Sequence, residues 1–196
     1  MGPGRPRAFE IKQALEAAME VFWQKGYEGA SLSDLTEVMN INRSSFYSTF
    51  GSKEKLFQKV LELYLEEGPP HALVVALQES TAKEVVRKFL QASAEAATRP
   101  SYPPGCMTVI GAITCSDESS PVKLSLTEWR IQIEKELRVR LETAKKNGDL
   151  PEHTDPVALA RYLATLSSGM SIQAVNGASR EDLESVVAIA MSALSL

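Results

Sequence analysis

The sequence contains few of the residues from which metal, redox and histidine-dependent sites are built. Its 196 residues include two cysteines and two histidines, and the histidines, His71 and His153, lie far apart. Two cysteines cannot form the disulfide framework of a small secreted protein, so we expect a reducing, cytoplasmic environment. Two distant histidines disfavour a zinc site. The sequence also has no serine–histidine–aspartate set and no glycine-rich phosphate loop. We therefore predict no bound metal, no cofactor and no enzymatic activity.

Long apolar runs and a strong net charge are missing too. No run approaches the roughly 20 apolar residues that span a bilayer, so we predict no membrane partner. The first ten residues, MGPGRPRAFE, contain two arginines but no apolar stretch, which disfavours a secretory signal. The net charge of −4 argues against a general polyanion binder. It is still compatible with a local surface that reads DNA.

Helical patterns extend along the whole chain, whereas strand patterns are weak. Ile11, Leu15, Ala18 and Phe22 recur at the spacing of one helix face. Residues that cap helices recur before the apolar segments. We therefore predict an all-α protein of about nine helices, in which a small N-terminal domain of three helices precedes a larger helical domain.

Two short helices joined by a tight turn are predicted next to each other. A capping box, Ser31 with Asp34, opens a helix over 32–39, and Asn42 is the N-cap of a second helix over 43–50. Together with the longer helix before them, they have the arrangement of a helix-turn-helix unit. Such a unit presents its second short helix to the major groove of DNA, which is wide enough to admit it.

The second short helix is expected to turn polar side chains outward while Phe46 and Phe50 pack inward. Short hydroxyl donors, one arginine and one phenol then form its outer face, namely Arg43, Ser44, Ser45, Tyr47 and Thr49. Arg43 is the best candidate for reading a base, because an arginine can bridge guanine O6 and N7. Lys53 lies in the first turn of the following helix, where its charge and the free N–H groups can both meet a phosphate.

Residues 7–57 closely resemble the N-terminal domain of tetracycline-repressor (TetR) family regulators, and the run FYSTFGSKEKL over 46–56 is similar to the family's most specific stretch. The matching residues are Ala14, Ala18, Phe22, Gly26, Tyr27, Ser31, Leu32, Leu35, Ile41, Ser45, Phe46, Tyr47, Phe50, Lys53, Glu54 and Leu56. Asn40 departs from the family, which usually has glycine there, but asparagine tolerates the left-handed conformation. Over the rest of the chain the resemblance rests on the number and lengths of the helices.

The resemblance implies a set of DNA contacts by matching position. Contacts with bases are implied for Arg43, Ser44, Ser45 and Thr49, and contacts with phosphates for Ser33, Tyr47 and Lys53. The cationic arm before the first helix, with Arg5 and Arg7, resembles arms that enter narrow A·T-rich minor grooves. Alternatively, it is a disordered tail that only raises solubility. We assign residues 1–55 to the DNA-binding helix-turn-helix domain with its arm, and residues 56–196 to effector binding and dimerisation.

The last two helices are predicted to pair two copies of the chain, since a single half-site gives little specificity. The resemblance implies an isologous homodimer with a four-helix interface. The residues assigned to this interface are Leu159, Leu163, Leu166, Val187 and Met191. The alternative is that these stripes pack inside one protomer.

The middle helices are predicted to enclose a ligand cavity. Its candidate lining residues are Phe89, Met107, Ile110, Trp129, Ile133, Tyr162, Met170 and Gln173. An ordinary core role is the alternative for each of them. An apolar, aromatic lining favours a small apolar or amphipathic effector. The resemblance thus implies a repressor that leaves a palindromic operator on double-stranded DNA when the effector changes the spacing of the two recognition helices.

The two cysteines, Cys106 and Cys115, allow a second regulatory hypothesis. On one helix they would lie about 13 Å apart along its axis, too far for a disulfide, which needs Cα atoms about 5.5 Å apart. Buried structural thiols are one interpretation. Cys106 also follows Pro-Pro-Gly at a predicted helix N-terminus, where a thiolate is favoured. A redox or electrophile switch at Cys106 is therefore the alternative to release by a bound effector.

Overall fold

The computed structural model describes residues 7–114 and 120–194, and this part of the chain contains α-helices and no strand. Its ten helices are α1 (Arg7–Gly29), α2 (Leu32–Val38), α3 (Arg43–Phe50), α4 (Lys53–Glu67), α5 (His71–Ala76), α6 (Ala82–Thr98), α7 (Met107–Thr114), α8 (Ser120–Lys146), α9 (Pro156–Val175) and α10 (Arg180–Ala193). The predicted all-α class is confirmed. The ten helices in these ranges agree with the prediction of about nine, and they include the short helix α5. None of these ten is long and apolar enough to cross a membrane.

Side-chain caps determine where most of these helices begin. Before five of the helices a short polar residue accepts a hydrogen bond from the backbone N–H three positions later; these residues are Ser31, Asn42, Ser52, Thr81 and Ser179. The first N–H groups of a helix have no partner within it, so such a cap stabilises the start. These caps are readable in the sequence, and the bounds of α3 and α4 follow from them.

Gly26 interrupts α1 near its end. Its backbone angles, φ 69° and ψ 174°, lie outside the helical region, and φ in this range favours glycine. One further turn follows, and the amide of Ala30 donates to the carbonyl of Gly26 at 3.2 Å. The helix thus breaks at Gly26, but the chain continues as helix to Gly29.

An aromatic core joins the helix-turn-helix unit to α4. The rings of Phe22 and Phe57 meet edge-on with centroids 5.1 Å apart, and Trp23 meets Tyr64 in the same way at 4.9 Å. The same cluster of buried residues also contains Met107 of α7 and two residues of α8. The core of the N-terminal unit therefore continues into the following helices, and the predicted boundary between 55 and 56 falls within α4.

A second core lies between α6, α8, α9 and α10. Its fully buried members include Val86 and Leu90 of α6, Leu137 and Leu141 of α8, and Leu163 of α9. Helix α6 packs against α9 and α10, and α8 packs against α9. Their buried residues recur three and four apart, as expected for amphipathic helices in a bundle. This bundle holds the helices that surround the cavity described below.

Gly105 allows α7 to start close against α9. Its φ is 88°, and a Cβ atom there would lie 2.8 Å from Cγ2 of Val175 and 2.9 Å from the backbone oxygen of Ser171. Gly148, after α8, has a similar φ of 75°, but a Cβ atom there would meet nothing within 4 Å. The two glycines thus share a backbone conformation and differ in their surroundings.

We predict that Gly105→Ala lowers the free energy of unfolding much more than Gly148→Ala. The left-handed conformation costs an alanine about 1–2 kcal/mol at either site. Overlap with α9 adds about 1–3 kcal/mol at Gly105 alone. Urea denaturation at one fixed protein concentration measures both values. Equal losses would mean that α7 and α9 separate freely.

Candidate nucleic-acid interface and ligand cavity

Two polar contacts fix the first turn of α2. Ser31 and Asp34 form a reciprocal capping box, and the Asp34 carboxylate also accepts from Lys25 of α1 at 2.8 Å. Hydrogen bonds from Lys25 and from Ser31 lower the pKa of Asp34 to about 2. The carboxylate therefore stays ionised at neutral pH and anchors α2 to α1.

A tight turn aligns α3 with α2. Asn40 adopts a positive φ of 52°, and the amide of Ile41 donates to the carbonyl of Thr36 at 3.0 Å. Asn42 then caps α3 by accepting from the amide of Ser45 at 2.8 Å. Asparagine meets the conformational requirement that glycine more often meets at such a turn.

The outer face of α3 is polar, as the sequence predicts. Phe46 and Phe50 are buried, and they attach the helix to the N-terminal core. The residues on the other side are exposed, except that Ser45 is half-buried; they are Arg43, Ser44, Ser45, Tyr47 and Thr49. Tyr47 is 54% exposed, so its phenol points away from the core while its ring edge contacts Phe46. The structure thus leaves four of the five predicted side chains of α3 exposed and the fifth half-buried.

Ser33 and Arg43 connect α2 and α3 on this surface. An Nη atom of Arg43 donates to Oγ of Ser33 at 3.2 Å, and both side chains are exposed. One residue predicted to contact a base and one predicted to contact a phosphate therefore touch each other. The hydrogen bond gives the arginine a defined starting position beside α2.

Lys53 occupies the first position of α4 and lies over an aromatic ring. Its Nζ atom is 4.4 Å from the ring centroid of Tyr27, within the range of a cation–π contact. Burial lowers the pKa of Lys53, and the charge of Glu28 opposes that shift. Tyr27 thus holds the ammonium group next to the free N–H groups of the α4 N-terminus.

The basic arm lies mostly beyond the described part of the chain. Arg5 lies outside the described residues. Arg7 is the first residue of α1, and the structure describes its backbone alone. The predicted minor-groove contacts of both arginines therefore stay predictions.

A cavity of about 530 Å³ lies between α6, α8 and α9. Three of the eight predicted lining residues, Phe89, Trp129 and Ile133, line it. The other five lie elsewhere, since Met107 and Met170 fill the two cores, Ile110 is half-buried near Gly105, and Tyr162 and Gln173 are exposed on α9. Hydroxyl groups of Ser93, Thr108, Thr127 and Ser171 also belong to the lining. Within the described ranges, no three metal-ligating side chains come together.

Most of the residues predicted for dimerisation are buried inside the protomer. Leu159, Leu163 and Val187 belong to the second core, and Leu166 and Met191 are half-buried against it. Other apolar residues of α9 and α10 are exposed, and they include Tyr162, Ile172, Val186 and Ile189. We call these four residues the apolar face. Counting apolar stripes in the sequence does not reveal which stripe a protomer buries for itself.

Cys106 lines the cavity and contacts a buried tyrosine of α4. The hydroxyl group of Tyr64 donates to Sγ of Cys106 at 3.2 Å and accepts from the amide of Met107 at 3.2 Å. Burial raises the pKa of Tyr64 well above its ordinary value, with the neighbouring Cys106 adding to the shift. The phenol therefore stays protonated and able to donate. Cys115 lies outside the described residues.

Tyr64 and Arg130 are among the lining residues that sequence reasoning missed. Tyr64 follows Phe57, Val60 and Leu61 at helical spacing, a pattern that places it on the inward face. Arg130 lies between Leu126 and Ile133 on the buried stripe of α8, where an apolar residue is expected. A charged residue inside an apolar stripe is a signal that the sequence does carry.

Comparisons with known proteins cover both parts of the chain. Residues 14–60 match the family model described as bacterial regulatory proteins, tetR family. Residues 82–189 match a second model, described as the tetracyclin repressor-like C-terminal domain. The two matches together include the helix-turn-helix unit and the helices around the cavity.

Individual relatives extend over nearly the whole chain. The HTH-type transcriptional repressor ComR of Escherichia coli (strain K12) is 33% identical over 181 residues, which cover 92% of this chain and 86% of that protein. The HTH-type transcriptional repressor BdcR of the same organism is 28% identical over 193 residues, covering 98% and 92%. A solved structure of a cysteine mutant of the TetR family transcriptional regulator CifR, complexed with 26-base-pair double-strand operator DNA, is 40% identical with a TM-score of 0.88, covering 96% and 99%.

Proposed function

The chain belongs to the tetR family of bacterial regulatory proteins, and we propose that it is a dimeric repressor that a small effector releases from a palindromic operator. The relatives ComR and BdcR are repressors by name, and CifR is seen on its operator. The following steps give the support that comes from this chain's own residues.

The outer face of α3 is the observation that carries the proposal. It exposes an arginine, a tyrosine and two hydroxyl residues over two helical turns, while two phenylalanines fix the helix from behind. Such short donors and an arginine suit base edges in the major groove. Lys53 at the α4 N-terminus adds a cation and free N–H groups at one end of this surface, which suits a phosphate.

The apolar face of α9 and α10 supports a dimer. Ile189 is 69% exposed and Tyr162 is 39% exposed. Pairing of two copies there would remove this apolar surface from water, which favours association. We therefore propose pairing through this face rather than through Leu159, Leu163 and Val187.

Two contacts connect the cavity helices to the DNA-binding unit. Tyr64 lines the cavity and also packs on Trp23 of α1. Nε2 of Gln58 on α4 donates to Oγ of Ser125 on α8 at 3.1 Å. An effector that binds differently to two positions of α4 would therefore change the orientation of α3 and shift the population away from the DNA-competent state.

The first test concerns the two proposed kinds of DNA contact. The chain should retard DNA from its own upstream region and protect a palindrome in footprinting. Arg43→Ala should cost about 1–3 kcal/mol of binding and relax specificity at one base pair per half-site. Lys53→Ala should weaken binding to all sequences alike and reduce the log-salt slope by about one per protomer.

Lys88→Ala is the control for this test, because Lys88 is an exposed lysine of α6. This variant also removes one positive charge, but far from α3 along the chain. It should therefore leave both the operator affinity and the log-salt slope unchanged. Identical behaviour of the Arg43 and Lys53 variants would show that their roles are wrongly assigned. No protected palindrome at low ionic strength, without effector, would contradict the function itself.

The second test concerns pairing. Ile189→Glu places a charge in the apolar face, so we expect it to shift the dimer toward monomer in sedimentation and to weaken operator binding at least tenfold. Val139→Glu is the matched control, since Val139 is a 50% exposed apolar residue of α8. A variant at Ile189 that still sediments as a dimer would rule out this interface.

A thiol switch at Cys106 is the second candidate function. The favouring observation is that its sulfur lines the cavity and contacts Tyr64, so a modified sulfur would disturb α4 directly. Peroxide converts a thiolate to a sulfenic acid, and water carries away the second peroxide oxygen. We expect peroxide to reduce operator binding by the native chain but not by Cys106→Ser. If peroxide still abolished operator binding by Cys106→Ser but not by Cys115→Ser, the switch would lie at Cys115 instead.

A further inference from the structure

The cavity contains an arginine at a position where the helix otherwise buries apolar side chains. The buried stripe of α8 includes Leu126, Ile133 and Leu137, and Arg130 stands between the first two at helical spacing. Arg130 lines the cavity, and an Nη atom donates to Oγ1 of Thr127, another lining residue, at 3.1 Å. An arginine on such a stripe brings its charge to the inside of the bundle.

Arg130 lacks a charged partner within the described ranges. Its Nε atom is buried there without a hydrogen-bond partner, and the ion pairs of that part of the chain do not include it. An arginine stays protonated in proteins, and a buried donor without an acceptor costs free energy. Among the described residues, Arg130 is therefore a cationic cavity residue without an acidic partner.

The carboxylate of Glu134, which also lines the cavity, is already paired with an arginine outside the lining. Glu134 is the other charged residue in the described lining. Its Oε1 atom accepts from Nε and Nη2 of Arg161 on α9, at 3.1 Å and 3.0 Å. Since that pair balances itself, the remaining charge of the lining is the single positive charge of Arg130.

The rest of the lining limits what can bind beside this charge. Apolar surface comes from Leu73, Phe89, Trp129 and Ile133. The hydroxyl groups of Thr127 and Ser168 are neutral. A dianionic phosphate would bring more charge than one arginine balances, and burying unbalanced charge is costly. A single carboxylate matches one guanidinium in both charge and geometry.

We propose that the effector is an amphipathic monoanion whose carboxylate pairs with Arg130 while its apolar body packs against Phe89 and Ile133. This inference rests on the proposed role of the cavity as effector site and narrows the ligand from any small apolar molecule to a carboxylic acid. The carboxylate supplies an acceptor for the guanidinium group of Arg130, whose recorded hydrogen bond among the described residues is the one to Thr127.

Titration calorimetry with matched probes at pH 7.5 tests the proposal on the full chain. The probes are octanoate against octanamide and 2-naphthoate against 2-naphthamide, which differ in charge and keep the same apolar body. We expect at least one carboxylate to bind tenfold or more tightly than its amide. Arg130→Met should abolish that preference while it leaves amide binding within about threefold.

Arg138→Met is the matched control, because Arg138 lies on the same helix, pairs with Glu142 and does not line the cavity. It should keep the preference, and Arg130→Lys should keep part of it. An equal or weaker affinity for both carboxylates, or a preference that survives in Arg130→Met, overturns the proposal. So does the absence of binding by all four probes.

Operator binding separates this inference from the proposed function. A native chain that protects a palindrome but shows no carboxylate preference would overturn the anionic effector and leave the repressor intact. A chain that binds carboxylates through Arg130 but protects no palindrome would overturn the repressor function and leave the anionic ligand intact. Circular dichroism on each variant checks that its helix content is native.

Discussion

The burial of Tyr64 is the constraint on which the rest of the structure depends. This side chain is 1% exposed, packs edge-on against Trp23 of α1, and lines the cavity on its other side. Its hydroxyl group has two partners at the start of α7, so neither the ring nor the hydroxyl can move alone. One residue of α4 thereby belongs to the core of the helix-turn-helix unit and to the wall of the proposed effector site.

The helix-turn-helix unit needs that core, because its helices are too short to be stable by themselves. Helices shorter than about 12–15 residues are marginal in water, and α2 and α3 have seven and eight. Caps at both starts, the Lys25–Asp34 ion pair and the buried Phe46 and Phe50 supply the missing stabilisation. The polar outer face of α3 contributes little to folding. Its residues are therefore free to be chosen for contacts with a partner.

Local signals in the sequence were sufficient for the helix-turn-helix unit and insufficient for the cavity. The caps at Ser31 and Asn42 determine where α2 and α3 begin to within a few residues. The four-residue spacing of Phe46 and Phe50 determines which side of α3 faces outward. Whether Met107 or Met170 faces the cavity depends on how α7 and α9 are rotated in the bundle, which long-range packing decides. Both are apolar residues on apolar helices, so periodicity cannot distinguish a lining position from a core position. The same limit applies to Leu163, which was predicted to lie at the dimer interface and is buried in the core of its own protomer.

Helix α9 contributes both to the proposed effector site and to the proposed pairing face. Ile172 lines the cavity and is 40% exposed, and it belongs to the apolar face through which we propose that two copies meet. Gly169 likewise lines the cavity and leaves open space beside it. A partner packed on this face would therefore lie against one wall of each cavity, and a ligand pressing on that wall would act on the interface as well as on Tyr64. Any such coupling is reciprocal, so a ligand that alters pairing must itself bind the paired and the separate chains with different affinities.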